Sequence, residues 1–216
     1  MKKIPDTFRI ATLLMALGLG CFAIATIGAE ALTPTQGLYG NAVLQSTDSN
    51  DRLANFAAAV APLRGDLLAD IAAARAAPIF KPGKVVLSPE TIATRERALV
   101  IAEKSLSLSP HASGMWLLMA MLLKQGQAKS EALKMSYLTS PADVNLIPAR
   151  VALVSAASSD DELKNLGRGD IRLILTRRPD LKPAISSAFG QGSAEGKAYL
   201  EETVRSLDPK FADSLR

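Results

Sequence analysis

Met115-Trp116-Leu117-Leu118-Met119-Ala120-Met121-Leu122-Leu123 is a run of nine apolar residues, and its reading decides the fold. A helix here has no polar face at the 3.6-residue period, so it must be covered on every side. It cannot span a bilayer, which needs roughly 20 residues. Pro110 and the small residues Ala112, Ser113 and Gly114 precede it, and Lys124-Gln125-Gly126 follows, as start and stop signals. The stretch therefore predicts the central buried helix of an α-helical domain.

Upstream, Ser88-Pro89-Glu90 supplies an N-cap, a first-turn proline and an acid at the positive end of a helix dipole. The helix runs to about Leu108, with Ile92, Leu99, Ala102 and Leu106 inside and Arg95, Glu96, Glu103 and Lys104 in water. Residues 78–88 read as a loop. Before it, Leu53, Phe56, Ala57, Val60, Leu63, Leu67 and Ile71 fall three or four apart, with Pro62 kinking that helix near Ala61. Residues 32–49, rich in turn formers without period, read as a linker.

Downstream, a helix over Ala128–Leu138 buries Ala132, Met135 and Leu138. Ser140-Pro141-Ala142-Asp143 is read as the start of another, through Val144, Ile147, Val151 and Val154, kinked at Pro148. Ser159-Asp160-Asp161-Glu162 caps the next helix, which Gly167 and Gly169 are expected to divide before Ile171–Thr176. Leu181–Phe189 is a short helix, Gly190 to Ser193 a turn and cap, and Ala194–Leu207 the closing helix. No segment carries a strand pattern. The fold class is all-α: an N-terminal signal or anchor helix, then antiparallel helical pairs as a solenoid or an irregular bundle over 50–216.

Residues 1–31 combine Lys2, Lys3 and Arg9 with a charge-free stretch from Ile10 to Ala29. Ala29-Glu30-Ala31 offers an A-x-A cleavage site, but 20 uncharged residues are also enough to span. A cleaved signal and a retained anchor both fit. The positive-inside rule then places the remainder across the membrane, periplasmic or inner-membrane-anchored and facing the periplasm. Cys21, the single cysteine, lies in this segment, so the folded part has no thiol for disulfides, metal or nucleophilic chemistry.

Hydrophobic residues make up 48% of the chain, enough for a real core, and aromatics 5%. The net charge of +4 is spread among 21 acids, without the clustered basic stripe and aromatic platforms of a nucleic-acid binder.

Ala98 and Ala102 followed by Ser107-Leu108-Ser109-Pro110, then Trp116, Met119, Ala120 and Leu123, and finally Gly126, Ala132 and Pro141, form a faint repeat. It resembles a degenerate tetratricopeptide repeat over about 90–157, its two prolines 31 residues apart instead of the usual 34, with Ala120 and Leu123 where the family carries Gly and Tyr. The resemblance implies stacked helical pairs that bind proteins, carry no catalysis and need no cofactor, with a flavour of bacterial envelope and polysaccharide assembly. Its structural core would be Trp116, Met119, Leu123, Leu99 and Ala102, with Trp116 wedged between paired helices. The expected partner-binding face includes Arg95 and Lys124 and, beyond the repeat region, Arg172.

His111, the only histidine, has no second ligand type beside it and reads as a solvent-facing residue at a helix start. Arg64-Gly65-Asp66 and Arg168-Gly169-Asp170 spell an adhesion tripeptide, by chance. Gly190, Gly192 and Gly196 lack the preceding strand and the spacing of a phosphate loop. Arg168, Arg172, Arg177 and Arg178 form one local basic surface, read first as a solvated helix face. No catalytic or metal-binding set converges. The expected function is a non-enzymatic extracytoplasmic scaffold or accessory protein with protein partners; the alternative is a single-pass accessory subunit whose anchor helix carries the function.

Overall fold

The computed structural model describes residues 6–32, 64–80, 88–157 and 160–215. The expected linker after Leu32, the stripe up to Leu63 with its Pro62 kink, and Ser159 lie outside these residues. Every regular element among the described residues is helical: α1 Asp6–Leu32, α2 Gly65–Phe80, α3 Pro89–Leu108, α4 Ser113–Leu122, α5 Gln127–Thr139, α6 Ile147–Ala157, α7 Asp161–Arg177, α8 Lys182–Gln191, α9 Ala194–Leu207 and α10 Pro209–Asp213. A 3₁₀ turn, Pro179–Leu181, leads into α8.

Side-chain caps set several boundaries. Ser88 Oγ accepts from the Thr91 amide at 3.1 Å, with Pro89 at the first helical position of α3. Asp160 Oδ1 accepts from the Glu162 and Leu163 amides at 3.0 and 3.2 Å and starts α7. Ser193 Oγ does the same for Gly196 in α9 at 3.0 Å. Each satisfies amides that the first turn leaves orphaned.

The apolar interior has two parts, and α4 belongs to both. Met115, Leu118 and Leu122 join the alanine face of α2 (Ala69, Ala72, Ala73, Ala76) and Ala98, Ala102 and Leu106 of α3. Leu117 and Ala120 join the larger cluster built from α5 to α10, including Leu133, Ile147, Val151, Ile171, Ile174, Ile185 and Leu200. A fully buried aliphatic side chain of this size contributes roughly 1.5–3 kcal/mol, so this one helix stabilises two neighbourhoods. Trp116 and Met119 are half-buried and touch both clusters.

Neighbouring helices pair at first: α2 packs chiefly on α3 and α4 on α5. The α2–α3 contact is close because both faces are small. Ser105 Oγ donates to the Gly65 carbonyl at 2.7 Å, and a Cβ at Gly65 would collide with the Ser109 side chain. Beyond α5 the order changes, since α6 packs mainly on α8 rather than on its neighbour α7.

Several expected registers shift. On α3 the buried line is Thr91, Ala98, Ala102, Ser105 and Leu106, while Ile92 is 40% exposed and Leu99 half-buried. The alanine face of α2 selects small partners over large ones. On α5, Ala132, Leu133, Ser136 and Tyr137 point inward and Leu138 is 67% exposed. Residues 140–146 form turns, with Asp143 Oδ1 accepting from the Asn145 amide at 3.1 Å, so α6 starts at Ile147. Pro148 thus falls in the first turn, where its missing N–H costs nothing, and produces no kink. Gly167 and Gly169 do not divide α7. At Gly167 a Cβ would press on Tyr199 Oη at 2.8 Å and Val154 Cγ1 at 3.3 Å, so close packing of α9 and α6 explains the glycine. Residues 78–80 extend α2 in place of the expected loop, and α10 follows the helix expected to be last.

Candidate functional site

Charge occurs at an unusual place: inside the larger apolar cluster. Arg150 of α6 is wholly buried, and Tyr137 of α5 and Asp170 of α7 are only 3% and 4% exposed. Arg150 Nε donates to Ser136 Oγ at 3.1 Å, and Nη2 donates to the carbonyls of Ser136 and, at 3.0 Å, of Ser140. The guanidinium lies over the Tyr137 ring, 4.7 Å from its centroid, a favourable cation–π arrangement when desolvated. It therefore ties the start of α6 to the C-terminal end of α5. Burial lifts the Asp170 carboxyl from 3.8 to about 6, against the opposing pull of Arg150 and Tyr137. Burial, and then the Asp170 charge, hold the Tyr137 phenol far above its ordinary value. The sequence signal for this centre is a charged residue inside an apolar stripe. Arg150 sits among Ile147, Val151 and Val154, and Asp170 among Leu163, Ile171 and Ile174.

Two grooves flank α7. One, of about 940 Å³, lies where α5 and α7 begin and α6 ends, and is lined by Gln127, Glu131, Asp160, Asp161 and Glu162 among others. Lys134 neutralises part of it, bridging Asp160 at 3.0 Å and Glu162 at 2.6 Å. The other, of about 410 Å³, runs between α7 and α9, with Asn165, Arg168 and Arg172 on one wall and Glu202, Thr203 and Ser206 on the other. Gly169 opens onto it, since nothing lies within 4 Å of where a Cβ would stand. Among the described residues no group of three His, Cys, Asp or Glu side chains is placed to hold a metal ion.

The residues singled out from the sequence are dispersed. Ala102 is fully buried; Trp116, Met119, Leu123 and Leu99 are half-buried against the clusters. The Trp116 indole donates to the Pro110 carbonyl at 2.7 Å, so its edge points to the turn before α4. Arg95 is half-buried, with Nε enclosed and without a hydrogen-bond partner among the described residues. Its charge acts on Lys129 of α5, whose ammonium is pushed down first by burial and then by Arg95. Lys124 is exposed in the turn between α4 and α5, whereas Arg172 stands on the α7–α9 groove.

His111 is exposed in a turn. Arg64 and Asp66 pair with each other across a buried Gly65, and Asp170 is buried in α7, so neither adhesion tripeptide is presented on an open loop. Gly196 is required by close packing: a Cβ there would overlap the Ser155 backbone carbonyl. Of the basic surface, Arg178 is paired with Asp180 at 2.7 Å and Arg168 donates to Asn165 at 2.7 Å.

Helix α1 differs from the rest. Its 22-residue stretch Thr7–Gly28 has a mean hydropathy of 2.3 and none of it is buried. Thr12 and Thr26 hydroxyls donate back to the carbonyls of Phe8 and Phe22 at 2.8 and 2.7 Å, so these polar groups are satisfied within the helix. That is the condition for a polar side chain in hydrocarbon. The segment is long and apolar enough to serve as a signal or an anchor.

No family model, characterised protein or solved structure matches the chain significantly.

Proposed function

We propose that this chain is a membrane-tethered helical scaffold: α1 anchors it, and the body from α2 to α10 recruits a protein partner outside the cytoplasm. One observation carries the reading. An apolar helix with no buried residue along Thr7–Gly28 accompanies a body that buries its own apolar residues in two clusters. The helix is about 33 Å long over Thr7–Gly28 at 1.5 Å per residue, against roughly 30 Å of hydrocarbon. Lys2, Lys3 and Arg9 favour retention of the N-terminus on the cytoplasmic side. The helix continues through Ala29-Glu30-Ala31 to Leu32, which favours an anchor over a cleaved signal because a scissile bond must leave the helix to be cut.

The surface of the body supports the partner-binding role. Stacked helical pairs offer extended surfaces that bind partners. The acidic and the basic groove beside α7 supply charge for selecting among them. Membership of an envelope assembly is suggested by the sequence resemblance alone and belongs to the same proposal.

Fractionation after alkaline extraction tests the anchor, with the full-length chain expected in the membrane pellet. Protease accessibility in spheroplasts tests the side: the body should be degraded without lysis. In-cell crosslinking tests the role, with Lys124→Glu and Arg172→Glu expected to weaken partner recovery while helicity stays unchanged. A full-length chain that is soluble, or a body protected until lysis, overturns the reading.

A further inference from the structure

The centre formed by Tyr137, Arg150 and Asp170 leaves three polar atoms over. Arg150 Nη1, Tyr137 Oη and Asp170 Oδ2 are each buried and meet no hydrogen-bond partner among the described residues. The three side chains adjoin one another. The guanidinium covers the phenol ring at 4.7 Å, the Asp170 charge acts on both, and the phenol and the carboxyl are close enough to act on each other as hydrogen-bonding neighbours although no bond of ordinary length joins them. An orphaned buried polar group costs about 1–3 kcal/mol, and native interiors rarely tolerate three together.

Their valences complement one another through a shared intermediary. Nη1 can only donate, a carboxylate oxygen can only accept, and a phenol hydroxyl can do either. The centre holds one cation and one anion, so it has no net charge to recruit an ion. Neither of the two grooves beside α7 is lined by any of the three residues. A water molecule has two donors and two acceptors, and buried waters typically make about three hydrogen bonds.

We infer that Tyr137, Arg150 and Asp170 form a binding site for one internal water molecule, which accepts from Arg150 Nη1, donates to Asp170 Oδ2 and completes its shell with the Tyr137 hydroxyl. This water joins α5, α6 and α7 at a point where no direct side-chain hydrogen bond connects all three. The Tyr199 hydroxyl donates its single proton to the Lys164 carbonyl at 2.8 Å and is not needed to complete the shell.

The sign of one substitution tests the site. Tyr137→Phe removes only the hydroxyl. If that hydroxyl is orphaned, the change is neutral or stabilising; if it binds the water, the folding equilibrium constant falls about five-fold. Chemical unfolding of the full-length chain in detergent reads the difference. High-resolution diffraction from the same protein supplies the second measurement, expected to show solvent density within hydrogen-bond distance of all three atoms. Asp170→Asn, which keeps an acceptor and the side-chain size, provides a folded comparison that retains the density should Tyr137→Phe fail to fold. A Phe variant as stable as the parent, or density for a direct Tyr137–Asp170 hydrogen bond with no solvent peak, overturns the inference.

Discussion

Replacing Gly196 with alanine measures how tightly α9 is seated on the end of α6. Gly196 is the third residue of α9, and a Cβ there would overlap the carbonyl oxygen and carbon and the Cα of Ser155. Those are backbone atoms near the C-terminal end of α6, whose Ser155 hydroxyl shares its single proton between the Ala152 carbonyl of the same helix and the Ala188 carbonyl of α8, at 2.8 and 3.3 Å. Relief must come from retreat of the first turn of α9. That retreat breaks the bonds from the Ser193 amide and hydroxyl to the Ser155 carbonyl, at 3.2 and 3.3 Å. Two such bonds are worth about 0.5–1.5 kcal/mol each, and overpacking costs about 1–3 kcal/mol. Alanine's better helix propensity returns at most about 1 kcal/mol. The net expectation is a loss of about 1–5 kcal/mol, centred at about 3, from a total that is typically about 5–15.

The control is Gly169→Ala in the middle of α7, where the side chain meets open space and the position is exposed. There only the propensity acts, and a gain of roughly 0.5–1 kcal/mol is expected. Urea unfolding followed by circular dichroism compares both variants with the parent. Opposite signs are required. If Gly196→Ala lies within about 0.5 kcal/mol of the parent, the close approach of α9 to α6 is wrong.

Asp170 makes stability pH-dependent: a carboxyl raised from 3.8 to about 6 on folding contributes stability that is complete below pH 3.8 and is lost as pH rises through about 6. The full span is worth roughly 3 kcal/mol, and the difference between wild type and Asp170→Asn, measured at pH 4 and pH 7, isolates it from the half-buried Asp70, which burial and Asp66 raise to about 6 in the same sense. Trp116→Ala should cost about 3 kcal/mol, the lower end for a large aromatic, since the indole is half-buried. Trp116→Phe should cost about 1 kcal/mol through the lost bond to the Pro110 carbonyl; equal losses for the two would place the indole outside the packing. Ser105→Ala removes a buried hydroxyl that joins α3 to α2 and should cost about 1 kcal/mol in thermal or urea unfolding.

Local chemistry was legible where it acts within one turn. Ser88, Asp160 and Ser193 announce their helices because a side-chain oxygen beside orphan amides needs no tertiary information. The apolar run of α4 was legible because nothing polar interrupts it. Registers on α3 and α5 were not, because the choice of inward face belongs to the partner. Ile92 yields to Ala98 and Ala102 against the alanines of α2, and Leu138 yields to Ser136 and Tyr137, which receive the guanidinium of a residue on another helix. Pro148 is a similar case: proline forbids a helix interior but suits its first turn, and the turns over 140–146 set where α6 starts. The Tyr137–Arg150–Asp170 centre left only a faint mark, charges inside apolar stripes, which a sequence cannot distinguish from a misplaced register.

The double membership of α4 has a consequence for how the body comes apart. With Met115, Leu118 and Leu122 in one cluster and Leu117 and Ala120 in the other, neither cluster can open without stripping one side of the same ten-residue helix. The α2–α3 layer and the α5–α10 layer therefore melt as one cooperative unit, not as two subdomains with separate midpoints. In hydrogen exchange the amides of α4 should be released last, at the free energy of global unfolding. A lesion on either flank is then felt through the whole body.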